Sequence, residues 1–213
     1  MEDHSGFKRV LSFPWAYVFF QNLVGSHKGN KWIAENIWCV SPGQKIIDIG
    51  CGPGTVLDYL PQDIEYVGFD ISEPYIDNAR RKYRCKHNVF FFVSSVSNIL
   101  ENHNPLLNDA DIVLCNGLLH HLNDAEALEV FRLAKRLLKP RGCLICAEPV
   151  FLIHQSAFSR WLMQKDRGQH IRTESQWKDL IKKAFDSFTT NICINLIRIP
   201  YVYIFIKGHV GSG

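Results

Sequence analysis

Short apolar runs alternate with amphipathic stretches from residue 45 onward, and this alternation is typical of a parallel α/β sheet. Each apolar run has the length of a buried strand, whereas the stretches between them repeat their apolar positions at helical spacing. The predicted strands cover residues 45–49, 65–70, 89–93, 110–116 and 143–149. The predicted helices cover residues 53–60, 72–85 and 124–138, and residues 97–109 form a loop or a short helix.

The alternation changes after the fifth strand. Residues 151–172 predict a helical, charged insertion. A further helix is predicted at 173–185, because Thr173 and Gln176 have the spacing of a capping box.

Two final apolar runs, at 189–197 and 201–208, predict an antiparallel strand pair. The residues before the first strand predict a helical N-terminal extension over residues 1–44. No repeats or low-complexity tracts occur, so we expect a single domain over residues 1–213.

Composition and charge narrow the class of protein. Of the 213 residues, 46% are apolar and 21% are charged, as in soluble globular domains. The formal net charge is only +3 and no run of single-sign charge occurs, so the electrostatic footprint of a nucleic-acid-binding module is missing. The apolar segment at 10–25 contains Pro14 and Gln21 and is shorter than the roughly 20 residues that span a bilayer.

Seven cysteines are scattered along the chain, and no signal peptide is recognised. An odd number of scattered cysteines is typical of reduced thiols, so the prediction is a cytoplasmic protein. Cys143 and Cys146 have the spacing of a redox or zinc pair, but strand residues three apart lie on opposite faces. His87, His103 and Cys85 fit no metal-binding spacing, and we expect no metal site.

The sequence Asp-Ile-Gly-Cys-Gly-Pro-Gly at 48–54 joins the first predicted strand to the following helix. Glycines at such a turn let the backbone approach a ligand closely. A P-loop ends in Gly-Lys-Ser/Thr, whereas this loop continues as Gly-Thr-Val. The dinucleotide fingerprint places its third glycine at position 55, which is a threonine. Neither phosphate-binding interpretation fits this spacing.

Two acidic residues refine this interpretation. Asp48 ends the first strand, where it would repel a pyrophosphate and attract a cationic ligand. Asp70 ends the second strand, 20 residues after Gly50, where an acid in this fold class hydrogen-bonds ribose hydroxyls. The predicted ligand is a positively charged nucleoside without phosphates. A cofactor with an α-amino group and a sulfonium fits that description.

The segments IIDIGCGPGT, YVGFDIS and ADIVLCNGLLHHLND resemble a class I S-adenosylmethionine-dependent methyltransferase, and the resemblance covers residues 45–148. It implies a Rossmann-like, doubly wound and mostly parallel sheet of seven strands with an antiparallel last strand. It also implies S-adenosyl-L-methionine as the cofactor.

The resemblance assigns cofactor contacts along the sheet edge. The glycine loop meets the methionine part, Asp70 meets the ribose and Ile71 the adenine. Many relatives carry an Asp for the adenine amino group after the third strand, but Ser95 and Val96 stand there in this chain. Asn116 approaches the methionine end through its backbone. The residues assigned in this way are Asp48, Gly50, Cys51, Gly52, Asp70, Ile71, Ser95, Val96 and Asn116.

Two segments outside the sheet are candidate lids. The N-terminal segment resembles helices that close over the cofactor in a subset of this family, with Tyr17 and Gln21 as candidate contacts, although its aromatic residues would equally pack on the sheet. The insertion at 151–172 lies where the family builds its substrate lid. Its guanidinium groups suit planar anions, so they either bind the acceptor or pair with Asp166 on a solvated helix. The candidate substrate contacts are Arg160, Arg167, His170 and Arg172, beside Phe158 and Trp161.

Methyl transfer needs a general base only when the acceptor is protonated and weakly acidic. His120 and His121 follow the fourth strand, at the edge where α/β sheets bind ligands, and a histidine there titrates in the useful range. They are candidate catalytic residues, with capping and packing as the alternative role. Glu148, which ends the fifth strand, is a candidate substrate contact or a surface or capping carboxylate.

Three functions remain open at this point. The first is a methyltransferase that acts on an oxygen or nitrogen atom of a small molecule, since no appended recognition domain or basic face is present. The second is a methyltransferase of tRNA, rRNA or protein, although the Asn-Pro-Pro-Tyr type of motif is replaced by NGLLHH. The third is a domain that binds the cofactor without catalysis, because fold and cofactor do not fix a reaction.

Overall fold

One sheet organises the residues that the computed structural model describes, which are 26–101, 104–165, 168–194, 196 and 199–211. Its inner strands are rich in β-branched and aromatic residues, which pack well on a pleated surface. The strands are β1 Lys45–Ile49, β2 Glu65–Asp70, β3 Val89–Val93, β4 Ala110–Asn116, β5 Leu138–Phe151, β6 Arg172–Thr173, β7 Ser187–Ile194 and β8 Val202–His209.

Helices connect these strands and cover both faces of the sheet. The α-helices are α1 Ser26–Ile33, α2 Glu73–Lys82, α3 Val96–Glu101, α4 Asp124–Leu137, α5 Ala157–Gln164 and α6 Glu174–Ile181. Three shorter turns complete them, a π-helical turn at Ala34–Trp38 and 3-10 turns at Thr55–Tyr59 and Leu119–His121. Within the described ranges, no helix has the length and apolar character that crossing a membrane requires.

The strand order is β3-β2-β1-β4-β5-β8-β7, and β6 pairs with β5 outside this path. Strands β1 to β5 are parallel, and β8 runs antiparallel to both of its neighbours. The order reverses between β1 and β4, and ligands of open α/β sheets bind beyond the carboxyl ends of strands at such a reversal. The predicted doubly wound, mostly parallel sheet with an antiparallel terminal strand is confirmed, and β6 is an additional short strand.

Two predicted elements differ from the structure. The helix expected at 53–60 is only a 3-10 turn, because Gly54 before it is left-handed and Leu60 must be extended before a proline. Strand β5 begins five residues before the predicted start at 143, because Leu138 already pairs with Ala110. The register shifts just after this pair, and Arg141 takes a φ of +67° there.

Other local predictions are confirmed. Thr173 accepts the backbone N–H of Gln176, and the Gln176 side chain accepts the N–H of Thr173, which completes the capping box of α6. Cys143 packs with the apolar cluster on one face of the sheet and Cys146 with the cluster on the other. The two thiols therefore do not share a site.

Candidate functional site

Three glycines give the loop after β1 its shape. Their φ angles are +70° at Gly50, +53° at Gly52 and +71° at Gly54, a region in which other residues are strained. A methyl group added at Gly50 would lie 3.0 Å from Leu118, and one at Gly54 would lie 2.9 Å from the Phe91 ring. Nothing lies within 4 Å of the same position at Gly52, so the backbone is open there.

Gly54→Ala tests this description of the loop. We expect it to lower the free energy of unfolding by about 3 kcal/mol, because the left-handed angle and the overlap with Phe91 add. Gly43→Ala is the matched control, since Gly43 has a φ of +80° and nothing within 4 Å of an added methyl group. In the same urea titration, Gly43→Ala should lower the free energy of unfolding by about 1–2 kcal/mol, which is the cost of the left-handed backbone angle alone. Equal losses in the two variants would mean that Phe91 yields without cost.

Asp70 fastens the glycine loop to the end of β2. Its Oδ2 accepts the N–H of Gly52 at 2.9 Å, and its Oδ1 accepts the N–H of Ser72 at 2.8 Å. Burial raises the pKa of this carboxyl, and the backbone donors oppose that rise. Each carboxylate oxygen has a second lone pair, which suits the hydroxyls of a ribose. The neighbouring Ile71 is 77% exposed, an apolar surface of the kind that a base covers.

Asp48 is the buried acid of the site. It is 2% exposed, and its Oδ2 accepts a hydrogen bond of 2.7 Å from the hydroxyl of Tyr66. Burial raises the pKa of Asp48 to about 7, the Tyr66 hydrogen bond lowers it and the charge of Asp70 raises it. The carboxyl is thus poised to ionise at neutral pH, and a ligand cation would favour its charged form.

Asn116 ends β4 with an amide that has no partner. Both Nδ2 and Oδ1 are inaccessible to solvent and neither makes a hydrogen bond. A buried unpaired polar group is unfavourable by about 1–3 kcal/mol, and a bound ligand is one way to satisfy it. The sequence had assigned only the backbone of Asn116 to the cofactor.

The turn at Leu119–His121 is built around Glu148, which is fully buried. One carboxylate oxygen accepts the N–H groups of Leu118 and Leu119 at 3.0 and 2.9 Å. The other accepts the N–H of His120 at 3.2 Å and lies 2.7 Å from its Nδ1. Glu148 therefore has no exposed surface for the substrate contact expected from the sequence, and it orients the His120 ring instead.

The two histidines differ in their surroundings. His120 is 6% exposed, whereas His121 is exposed, and their ring centroids are 4.1 Å apart. The end of the insertion packs on His120, because a methyl group added at Gly168 would lie 1.9 Å from the ring. The N–H of His170 also bonds to the carbonyl of His120 at 2.9 Å. The predicted lid insertion thus reaches the candidate base.

Arg172, a predicted substrate contact, is occupied within the fold. Its Nε and Nη2 both lie 2.8 Å from Asp124. Its remaining N–H groups donate to the carbonyls of Leu119, Leu122 and His170 at 2.8 to 3.1 Å. With five donor contacts made and 4% of the residue exposed, the guanidinium has no group left for a ligand.

Other predicted contacts have partners within the fold or lie outside the described residues. Arg160 donates to the carbonyl of Leu152 at 2.8 Å and lies over the Phe151 ring. Ser95 accepts the N–H of Asn98 through Oγ at 3.1 Å, and Val96 begins α3. Tyr17, Gln21, Asp166 and Arg167 lie outside the described residues.

The residues at this edge fit the expected cofactor. The loop is open at Gly52, Asp70 retains acceptor capacity, Ile71 is uncovered, Asp48 suits a cation and Asn116 has an unsatisfied amide. In the part of the chain that the structure describes, no group of three or more His, Cys, Asp or Glu residues is placed to hold a metal ion. The fold and this edge suit the binding of a positively charged nucleoside.

Comparison with known proteins finds similarity to methyltransferases. A family model described as a methyltransferase domain matches residues 47–144. Phosphoethanolamine N-methyltransferase 1 of Arabidopsis thaliana is 29% identical over 86% of the chain, which spans 39% of that enzyme. An uncharacterized methyltransferase of Synechocystis is 29% identical over 87% of the chain, which spans 85% of that protein.

Solved structures share the fold. Phosphoethanolamine N-methyltransferase 2 of Haemonchus contortus, in complex with phosphomonomethylethanolamine and S-adenosylhomocysteine, has a TM-score of 0.73 at 15% identity, over 98% of this chain and 61% of that one. An O-methyltransferase family protein of Burkholderia thailandensis has a TM-score of 0.70 at 20% identity, over 97% and 63% of the two chains. Residues 47–144 are thus similar to a methyltransferase domain, and the described fold is one that solved methyltransferases share.

Sequence reasoning missed three features of the site. All three are contacts between residues 18 to 48 positions apart. They are the hydrogen bond from Tyr66 to Asp48, the packing of Gly168 on His120, and the hydrogen bonds from the Leu119–His121 turn to Glu148. Only the Glu148 carboxylate carried a signal, since an acid at the end of a strand invites a functional role without naming its partner.

Proposed function

We propose that the chain transfers a methyl group from S-adenosyl-L-methionine to an oxygen or nitrogen atom of a small molecule. The buried contact of 2.7 Å between Glu148 and Nδ1 of His120 supports this proposal best. The bound cofactor supplies an activated methyl group, so the chain has to bind, orient and deprotonate the acceptor. A hydroxyl, a phenol or a protonated amine each needs a base to become nucleophilic.

His120 is assigned the role of that base. Glu148 accepts a hydrogen bond from the Nδ1–H group, which fixes the tautomer and the plane of the ring, as the carboxylate does in a catalytic triad. The acceptor's proton then goes to Nε2, and the Glu148 carboxylate stabilises the imidazolium that forms. His121 remains the alternative base. Glu148 is accordingly a positioning residue and Arg172 a structural one, neither of them a substrate contact.

The cofactor site is assigned to the edge beside this base. The glycine loop and Asp48 hold the methionine end, Asp70 the ribose hydroxyls and Ile71 the adenine, with Asn116 completing its hydrogen bonds on the ligand. Leu118 joins the two halves of the site, since it packs on Gly50 and precedes the turn that carries the histidines.

The acceptor site is assigned to the insertion at 151–172. Phe158 and Trp161 are exposed there with their ring centroids 6.1 Å apart, and Arg160 and His170 of the same insertion are candidate contacts for an anionic group. Similar proteins are named as phosphoethanolamine N-methyltransferases and O-methyltransferases, so phosphorylated amines and phenols are the first acceptors to test. We also propose a cytoplasmic location, because all seven cysteines are unpaired.

The test has two stages. Thermal shift with S-adenosylmethionine, S-adenosylhomocysteine and NAD should give stabilisation by the first two only, about 2.7 kcal/mol at 100 times the dissociation constant. Acceptor panels of phenols and phosphoethanolamines then report methyl transfer, with salt-dependent tRNA binding as the control for a nucleic-acid substrate. No shift with either adenosyl ligand would reject the cofactor site. Binding without turnover on small molecules, tRNA or protein would favour the non-catalytic alternative.

Asn116→Leu separates ligand binding from stability. Leucine has nearly the shape of asparagine and no polar atoms, so the ligand-free variant should gain about 1–3 kcal/mol in the free energy of unfolding. Its affinity for S-adenosylhomocysteine should fall by about tenfold or more, because one or two hydrogen bonds to the ligand are lost. Urea titration and isothermal calorimetry measure the two effects. A less stable variant with unchanged affinity would contradict the assignment of Asn116.

A further inference from the structure

Asp48 depends on one hydrogen bond from the neighbouring strand. Tyr66 on β2 is fully buried, and its hydroxyl donates to Oδ2 of Asp48 at 2.7 Å. A carboxylate in apolar surroundings is unfavourable unless donors satisfy its oxygens. We propose that Tyr66 is a positioning residue: its hydroxyl stabilises the carboxylate form of Asp48, which is the form that pairs with the cationic end of the cofactor, so that Asp48 gives up any proton it carries when the ligand binds. This inference rests on the proposed function.

The charge of Asp70 raises the pKa of Asp48, and the neighbouring thiols do not offset this rise. Asp70 at the end of β2, Cys51 in the glycine loop and Cys115 on β4 all interact electrostatically with it. Each is an acid, so none of them supplies a positive charge. Among these groups Tyr66 is the one whose hydrogen bond lowers the pKa of Asp48. Without the Tyr66 hydroxyl, only burial and the charge of Asp70 would act on the pKa of Asp48, and both raise it.

The balance places Asp48 at the midpoint of its titration near neutral pH. Burial raises its pKa to about 7 even with the Tyr66 hydrogen bond in place. A ligand with an α-ammonium group needs the carboxylate, so below that pH each binding event must release the proton that Asp48 carries. Affinity should then fall about tenfold for each pH unit below 7.

Tyr66→Phe removes only the hydroxyl and keeps the ring. The pKa of Asp48 rises further, and the variant needs a higher pH before it binds well. Tyr83→Phe is the matched control, because Tyr83 also packs on the Phe91 ring but donates to Asp58 at 3.0 Å. The same atom is thus removed from an adjacent ring that does not touch Asp48.

The experiment measures dissociation constants of S-adenosylhomocysteine for the three proteins from pH 5.5 to 9 by calorimetry. The ratio of variant to wild-type constants cancels the ionisation of the ligand. For Tyr66→Phe it should be about tenfold or more below pH 7 and should decline toward one by pH 9, since a hydrogen bond to a charged group is worth about that factor. For Tyr83→Phe it should stay near one.

Buffers of different ionisation enthalpy report the proton directly. With wild-type protein, close to one proton per ligand should be released at pH 6 and about half of one at pH 7, before the ligand's own amino group begins to titrate. A Tyr66→Phe ratio that is large but the same at every pH would mean a merely structural role and would overturn the inference, as would buffer-independent enthalpies. Absence of S-adenosylhomocysteine binding by the wild type at any pH would instead reject the proposed cofactor site.

Discussion

Asp48→Asn is expected to make the ligand-free protein more stable at pH 8 and to remove most of its affinity for S-adenosylhomocysteine. The folded state raises the pKa of Asp48 from 3.8 to about 7, so the fold favours the protonated carboxyl. Stability from this group is fully present below pH 4 and is lost as the pH rises through 7. Asparagine has no charge to bury, and its Oδ1 still accepts the Tyr66 hydroxyl.

The size of the gain follows from the same shift. About three pKa units correspond to a ceiling on the order of 4 kcal/mol at pH 8. The new amide nitrogen has to find acceptors, so a gain of about half that ceiling is the expected result. Affinity should fall about 100- to 1,000-fold at pH 8, because a ligand cation would lose its buried partner.

Urea titrations from pH 4 to 8 measure the stability effect as a difference between variant and wild type. The difference should grow with pH across this range and level off above 7. Asp111→Asn is the control, and it should lower the free energy of unfolding. Asp111 accepts the N–H of Lys45 at 2.9 Å and pairs with Lys139 at the other edge of the sheet. If Asp48→Asn instead lowers the free energy of unfolding at pH 8, the folded state does not disfavour the charged form of Asp48.

The loop chemistry was predictable because it is local. Spacing alone locates the three glycines within five residues and the acids at the ends of β1 and β2. The structure then shows that the backbone is open at Gly52. The alternation of buried strands and amphipathic helices also predicted a parallel sheet, but not the order of its strands. Strand pairing overrides a local turn signal at residues 139–142. These residues include a proline and a glycine and still lie within β5.

The roles of charged side chains were harder to predict because their partners are distant in sequence. Glu148 and Arg172 were both candidate substrate contacts, each with a structural role as the alternative. Both bind backbone groups of a turn 28 and 53 positions away, and neither local sequence predicts that turn. Burial decides between a substrate contact and a structural role, and the burial of these two residues is known only from the folded structure.

Glu148→Gln should lower kcat by about 100- to 10,000-fold while leaving affinity for S-adenosylhomocysteine within about twofold. The glutamine oxygen can still accept the N–H groups of Leu118 and Leu119, so the turn keeps part of its anchor. The amide nitrogen cannot accept from His120, whose N–H and Nδ1 both face the second oxygen at 3.2 and 2.7 Å. The ring then loses its fixed tautomer, and the free energy of unfolding should fall by about 1–3 kcal/mol.

Nitrogen-15 spectra of histidine-labelled protein test the same variant without knowledge of the acceptor. Wild-type His120 should be a single tautomer with its proton on Nδ1, and Glu148→Gln should give a mixture, with His120→Asn used to assign the signal. His121→Asn is the matched control, and its turnover on the identified acceptor should stay within about threefold of wild type. If that variant loses as much activity as Glu148→Gln, His121 is the base. A fixed Nδ1 tautomer that survives in Glu148→Gln would remove the positioning role of Glu148.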